Sequence, residues 1–270
     1  MRKLNILYGL LLAILLASCA GSREFNKLLK SNDQEQKFVS AKEYFANGKF
    51  SRSLALLESV TPYFRGTRYA HEVMFLTAKS HAGLKDNLTA AHFFESYHRL
   101  FPRNEFAEES KFMEGYSYYL ESPDPRLDQQ MTHKGIAVFN SFIELYPESA
   151  RMAEAAKLLD ELNDKLAQKE LLNTRLYFNM GIFLGNNYRA AAITAENAIK
   201  DFPASRHREE FAILILRSRF REAEVSVQAR KAERYQDALL AFQNYIADFP
   251  EGRHVREAQR IHAEILKNIQ

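Results

Sequence analysis

The side chains of this 270-residue chain that could do chemistry are few and scattered. Eight histidines stand at positions 71, 81, 92, 98, 133, 207, 254 and 262. No two of them form the His-Glu-x-x-His arrangement that turns two imidazoles toward one metal from a helix face. His92 and His98 are six residues apart, which on a helix sends them to different faces. The only cysteine, Cys19, excludes an intramolecular disulfide and a zinc site built on several thiolates. Asp124 and Asp128 lie in a proline-bearing stretch without a base or nucleophile motif beside them, where carboxylates ordinarily form turns. No Gly-x-Ser-x-Gly elbow, phosphate loop or dinucleotide fingerprint occurs. The pattern points to a protein that is not an enzyme and that calls for no metal or cofactor.

Composition narrows the class further. With 37 Lys+Arg against 34 Asp+Glu the formal net charge is +3, without the basic excess of a nucleic-acid binder. Only 10 Gly and 7 Pro are too few for the turns of an all-β protein, and the abundance of Ala, Leu, Glu, Lys and Arg favours helix.

The thiol of Cys19 has a chemical setting of its own. Arg2 and Lys3 precede an apolar run from Ile6 to Leu16, too short for the roughly 20 residues that span a bilayer but of signal-peptide length. Leu16-Ala17-Ser18-Cys19 resembles a bacterial lipobox, in which the cysteine sulfur is acylated and the cysteine becomes the mature N-terminus. Residues 1–18 are read as a lipoprotein signal peptide, whose removal takes away two cations and no acid and leaves a charge of +1. Acyl chains contribute about 0.8 kcal/mol per buried methylene, so two or three anchor a protein stably. Ala20, rather than Asp, follows the cysteine, which in the sorting rule this resembles directs the chain to the outer membrane. Residues 19–36 read as a lipidated polar tether.

The elements behind the tether are announced by prolines. Arg99-Leu-Phe-Pro102, Glu144-Leu-Tyr-Pro147, Lys200-Asp-Phe-Pro203 and Ala247-Asp-Phe-Pro250 each end an amphipathic stretch, at spacings of 45, 56 and 47 residues. Counting back twelve, eight and five residues gives Ala90, Phe94 and Tyr97; Gly135, Phe139 and Phe142; Ala191, Ala195 and Ala198; and Ala238, Phe242 and Tyr245. Small and bulky apolar residues at these offsets share one helix face and resemble the second helix of a tetratricopeptide unit. A first unit fits through Ala41, Tyr44, Ser53, Leu57 and Val60, with Arg65 at the proline position. The expected fold is all-α: a solenoid of about five elongated tetratricopeptide-like hairpins with one long central helix, from Ser149 to Met180. Units over 37–148 would form an N-terminal part, and the long helix with further units over 149–270 a C-terminal part. Residues 121–130, with Pro123 and Pro125, would be a loop inserted in the third hairpin. Stacked hairpins present a concave surface suited to extended peptides or partner domains.

Repeat arithmetic puts Lys42, Phe45, Lys79, Tyr116 and Tyr119 on or near that groove. Aromatics beside lysines suit an extended peptide that ends in an apolar side chain and a carboxylate. Ordinary packing between repeats, with solvated lysines, is the competing reading of the same residues.

Lipobox, tether and stretched repeats together resemble the BamD family, lipoprotein subunits of the bacterial β-barrel assembly machine. Tyr63-Phe64-Arg65-Gly66-Thr67, Ser122-Pro123 with Leu127-Asp128-Gln129, Leu162 to Leu171, and Asn187-Tyr188-Arg189-Ala190-Ala191 add to the likeness. The resemblance implies a scaffold anchored by acyl chains to the periplasmic side of the outer membrane. Its C-terminal half would bind the POTRA domains of a BamA-like barrel subunit. Its N-terminal units would receive unfolded outer-membrane protein clients, and nucleic acid would not be a partner. A periplasmic tetratricopeptide adaptor that couples envelope constriction to cell-wall synthesis would share the repeats. Such adaptors usually carry a coiled-coil N-terminal region, for which residues 22–37 are too short.

Overall fold

The computed structural model describes residues 22–269; the leader over residues 1–18 and Cys19 lie outside them. Residues 22–29 are helical (α1). There follow α2 (Gln34–Ala46), α3 (Phe50–Phe64), α4 (Ala70–Gly83), α5 (Asn87–Leu100), α6 (Ala107–Glu121) and α7 (Gln130–Leu145). The long α8 (Met152–Met180) leads into α9 (Asn187–Asp201), α10 (Arg208–Glu224), α11 (Gln228–Asp248) and α12 (Val255–Ile269). Among the described residues there is no strand, and no helix is long and apolar enough to cross a membrane. The all-α repeat of helical hairpins expected from the sequence is the fold observed.

The helix ends follow the local chemistry. Asp33, Asp86 and Asn186 cap α2, α5 and α9, their side-chain oxygens accepting from the backbone N–H of Gln36, Thr89 and Arg189. At the other end, α5, α9 and α11 each stop one residue before an aromatic whose backbone N–H still donates to the fourth carbonyl back: Phe101 to Tyr97, Phe202 to Ala198, Phe249 to Tyr245. The proline one residue further on cannot continue the ladder, so the chain turns.

The chain divides into two compact units. The first comprises residues up to Glu121 and Ala137–Met152; the second comprises Ser122–Ile136 and Ala153–Gln270. In the first unit, Phe38, Ala41, Leu56, Leu57, Val60, Phe64 and Val73 form one core cluster, and Phe75, Ala78, Ala90, Phe94 and Tyr97 another. In the second, Ala167, Leu171, Ala195, Ala198, Phe211 and Leu214 pack together beside a larger cluster that runs from Ala212 to Ile265. Of the residues counted back from the prolines, all are buried except Phe242, whose ring stacks on His262 at 4.1 Å. The periodicity of each second helix is therefore a packing pattern.

Two segments differ from the sequence expectation. Part of the stretch read as a tether is folded: Phe25, Leu28 and Leu29 of α1 pack half-buried against the first core cluster, and α2 has begun by Gln34. Apolar residues at i, i+3 and i+4 within a polar composition make one amphipathic turn, which composition alone conceals. The proline loop is observed over residues 122–129, but residues 122–136 belong with the second unit. The Nζ of Lys165 on α8 donates to the Ser122 carbonyl at 2.9 Å and Lys169 donates to the Leu127 carbonyl at 2.7 Å, tying the loop to the long helix.

Candidate functional site

The five groove candidates all lie in the first unit, on α2, α4 and α6. The three helices share a register that proline counting did not reveal. Phe38, Phe75 and Phe112 are successive 37-residue steps, and so are Ala41, Ala78 and Gly115. In the same steps Lys42 matches Lys79 and then Tyr116, while Glu72 matches Glu109.

This register builds a repeated contact between neighbouring hairpins. Lys42 on α2 pairs with Glu72 on α4 at 3.2 Å, and Lys79 on α4 pairs with Glu109 on α6 at 2.7 Å. Each lysine also lies over the phenylalanine one turn back, Lys42 at 4.7 Å from the Phe38 centroid and Lys79 at 5.5 Å from that of Phe75. At the third step the aromatic is covered by another cation: the Arg151 guanidinium sits 4.0 Å from the Phe112 centroid. Tyr116, in the lysine position, stacks on Phe112 and on Tyr119 with centroids 6.3 and 6.0 Å apart, so the three rings run along one face of α6. Tyr116 and Tyr119 remain half-buried. Phe45 instead packs edge-on against Phe50 at the α2–α3 turn, at 5.5 Å, away from the ion-pair ladder.

The two lysines therefore already hold carboxylates. Such partly exposed pairs contribute only about 0–1 kcal/mol each, so an incoming carboxylate can exchange with Glu72 or Glu109 at small cost. Deeper in the same unit the Glu114 carboxyl is pushed up by burial, with Lys111 at 3.1 Å opposing the shift. Tyr118 beside it is raised by burial and by Glu114.

The second unit carries a denser charge network that the sequence did not disclose. Glu222 on α10 is 1% exposed and accepts from Asn186 Nδ2 at 3.1 Å and from Arg219 Nη1 at 3.3 Å. It is also in direct contact with the Arg234 guanidinium of α11. Arg219 bridges onward to Glu196 of α9 at 2.8 Å. One carboxylate thus ties α9, α10, α11 and the turn before α9. On another face Arg217 grips Glu257 with two bonds of 2.7 Å, which holds the Glu257 carboxyl below its ordinary value. Glu209 accepts from the buried Tyr245 hydroxyl at 2.9 Å. Burial first, and this carboxylate second, push the Tyr245 phenol up to about 12.

The remaining sequence candidates are placed simply. Asp124 binds the Arg126 side chain and backbone within the loop, which draws its carboxyl down to about 2. His81 faces Asp86 at 3.0 Å and His98 faces the Tyr146 hydroxyl at 3.0 Å. Among the described residues no three His, Cys, Asp or Glu side chains converge as a metal site would require. Lys42, Lys79, Tyr116 and Tyr119 form a partly exposed surface whose cations are held in ion pairs and whose rings are stacked.

Comparison with known proteins bears on what such a surface serves. The family model YfiO, described as "Outer membrane lipoprotein", matches residues 30–215, more than half of the chain. The chain belongs to this family. It is similar to the "Outer membrane protein assembly factor BamD" of Neisseria meningitidis, 24% identical over 228 residues, which cover 78% of this chain and 83% of that one. The protein of the same name from Caulobacter vibrioides is 21% identical over 174 residues, 64% of this chain. That match spans 57% of the Caulobacter relative, less than two thirds of its length. Among solved structures, the TPR2AB domain of yeast Sti1 in its pHSP90 complex overlays with a TM-score of 0.38 at 12% identity, covering 86% of this chain and 98% of that one. Family membership rests on the sequence match.

Proposed function

We propose that this chain is a non-enzymatic scaffold lipoprotein for the assembly and insertion of β-barrel proteins into the bacterial outer membrane. The observation that carries the reading is the family match over residues 30–215, with both relatives named as outer membrane protein assembly factors. Cys19 would carry the acyl chains and hold the chain on the periplasmic side of the outer membrane. A barrel-forming subunit of the BamA type would dock through its POTRA domains, chiefly on the C-terminal hairpins. Unfolded barrel clients would be received by the N-terminal hairpins.

Mechanistically, Lys42, Lys79, Tyr116 and Tyr119 supply what an extended client terminus needs. The Tyr116–Tyr119 face, backed by the buried Phe112 ring, takes an aromatic or apolar side chain, and the lysines take a carboxylate by exchange with Glu72 and Glu109. Phe45, turned into its own hairpin, would act by packing. The anchor is tested by Cys19→Ala, which keeps the helical content and releases the chain from membranes when no partner is present. Unchanged membrane fractionation would remove acylation from the account.

A further inference from the structure

The turn from α8 into α9 presents Gly181-Ile-Phe-Leu-Gly185 to solvent. Ile182 is 67%, Phe183 65% and Leu184 89% exposed, three consecutive large apolar side chains with no polar one among them. The proposed client and docking roles leave this knob unused.

Its conformation is fixed. Gly181 and Gly185 have φ of +57° and +140°, and Leu184 has φ of +56°, a left-handed conformation that a branched side chain adopts only when its surroundings impose it. Asn187 imposes it: the side-chain amide donates to the Phe183 carbonyl at 2.6 Å and the backbone N–H donates to the Gly181 carbonyl at 2.9 Å. Phe183 N–H donates to Met180 and Gly185 N–H to Ile182. The tip is therefore preformed, and much of its backbone is satisfied internally, which lowers the cost of leaving water.

Beside it stands a second apolar turn. Val225 and Val227, 48% and 70% exposed, share with Ile182 and Gly185 a cleft of about 340 Å³ that Arg230 and Arg234 also line. Residues 181–195 and 225–232 contain no carboxylate but include Arg189, Arg230 and Lys231. The acids nearest along the chain are engaged: Glu196 by Arg219, Glu222 by Arg219 and Arg234, Glu224 by Arg221, Glu233 by Arg230. Arg189 and Lys231, each within three residues of a side chain that lines the cleft, have no carboxylate in these two segments to offset them.

We infer that the Ile182–Phe183–Leu184 knob dips into an anionic phospholipid surface, a second membrane contact beyond any acyl anchor. The segments that flank the tip carry cations and no carboxylate, which complements an anionic surface. A convex apolar tip rimmed by cations is the arrangement that enters the boundary between acyl chains and headgroups while its arginines and lysines meet phosphate. The inference rests on the membrane location of the proposed function but not on acylation of Cys19.

The chain has no tryptophan, so Phe183→Trp places a lone indole at the tip. The full chain is mixed with vesicles of phosphatidylethanolamine and phosphatidylglycerol, and flotation is scored separately. The expected result is a shift of the indole emission to shorter wavelength, quenching by brominated phospholipid, and protection from aqueous iodide. Ile182→Trp should behave alike, and Leu127→Trp, exposed in the proline loop, should stay aqueous. An aqueous indole at 182 and 183, whether or not the chain floats, overturns the inference. A shift that appears only on adding a barrel-assembly partner also overturns it, and assigns the knob to a protein interface. Failure of flotation alone reports on the anchor.

Discussion

Glu222→Gln should destabilise the second unit more than any other single charge removal on its surface or in its core. The carboxylate is buried, and its charge is set against two guanidiniums, Arg219 and Arg234, with Asn186 as a third donor. Removing one member of a buried pair costs about 3–5 kcal/mol, because the remaining charge is left uncompensated. Here Arg219 keeps Glu196, and both arginine side chains retain about a fifth of their exposure, so the lower end, about 3 kcal/mol, is expected. Urea unfolding followed by helical ellipticity reads this as a lower midpoint with an unchanged slope. Glu222→Gln combined with Arg234→Gln should cost less than the sum of the two single changes, since the second removes the charge that the first orphans. A loss below about 1 kcal/mol, or strict additivity of the pair, would refute the reasoning, because both are what an exposed ion pair gives.

Other outcomes follow from the same contacts. In Gly115→Ala the new methyl would meet the Phe139 ring at 3.0 Å, so overpacking of about 1–3 kcal/mol should outweigh the gain of about 1 kcal/mol in helix propensity. Ala78→Gly, at the same register, should lose about 1 kcal/mol of helix propensity and about 0.8 kcal/mol more for its buried methyl, and thermal unfolding of both variants checks the contrast. In a spectrophotometric titration Tyr97 and Tyr245 should ionise near 12, above the ordinary phenol value, as burial of both requires. A phenol raised in the fold contributes stability below its unfolded value near 10, and that stability is lost as pH rises toward 12. Glu257 has the opposite sign: held down by Arg217, it contributes above the ordinary carboxylate range and is lost as pH falls through its lowered value. Glu257→Gln should accordingly flatten the acid limb of a stability–pH curve. Tyr116→Ala with Tyr119→Ala should weaken binding of client C-terminal peptides about tenfold or more while ellipticity holds, given two aromatic faces of roughly 1 kcal/mol each; unchanged binding returns these rings to packing.

The fold was legible where proline and small residues punctuate it. Pro102, Pro147, Pro203 and Pro250 mark helix ends, and the residues counted back from them are, Phe242 apart, buried as a repeat requires. The same counting obscured the 37-residue register of the first three hairpins. The first hairpin has Arg65 in place of its proline, and the loop 121–130 stretches the third. Glu72 and Glu109 were missed for that reason: each answers a lysine on another helix, and only the register pairs them. Glu222 was unreadable because its partner Arg234 comes from the next helix, and a Glu among arginines in sequence looks like a solvated face. The knob at 182–184 has an apolar composition like that of a core segment; only the exposure of its three side chains in the folded turn shows that it points outward.

The most direct test of the proposed role is a mild-detergent pull-down of the native protein from cell envelopes, with co-purifying chains identified by mass spectrometry. A stoichiometric barrel protein that carries POTRA domains is the expected result. Recovery of cell-wall synthases or division proteins in its place would contradict the assembly role and leave the repeat fold standing.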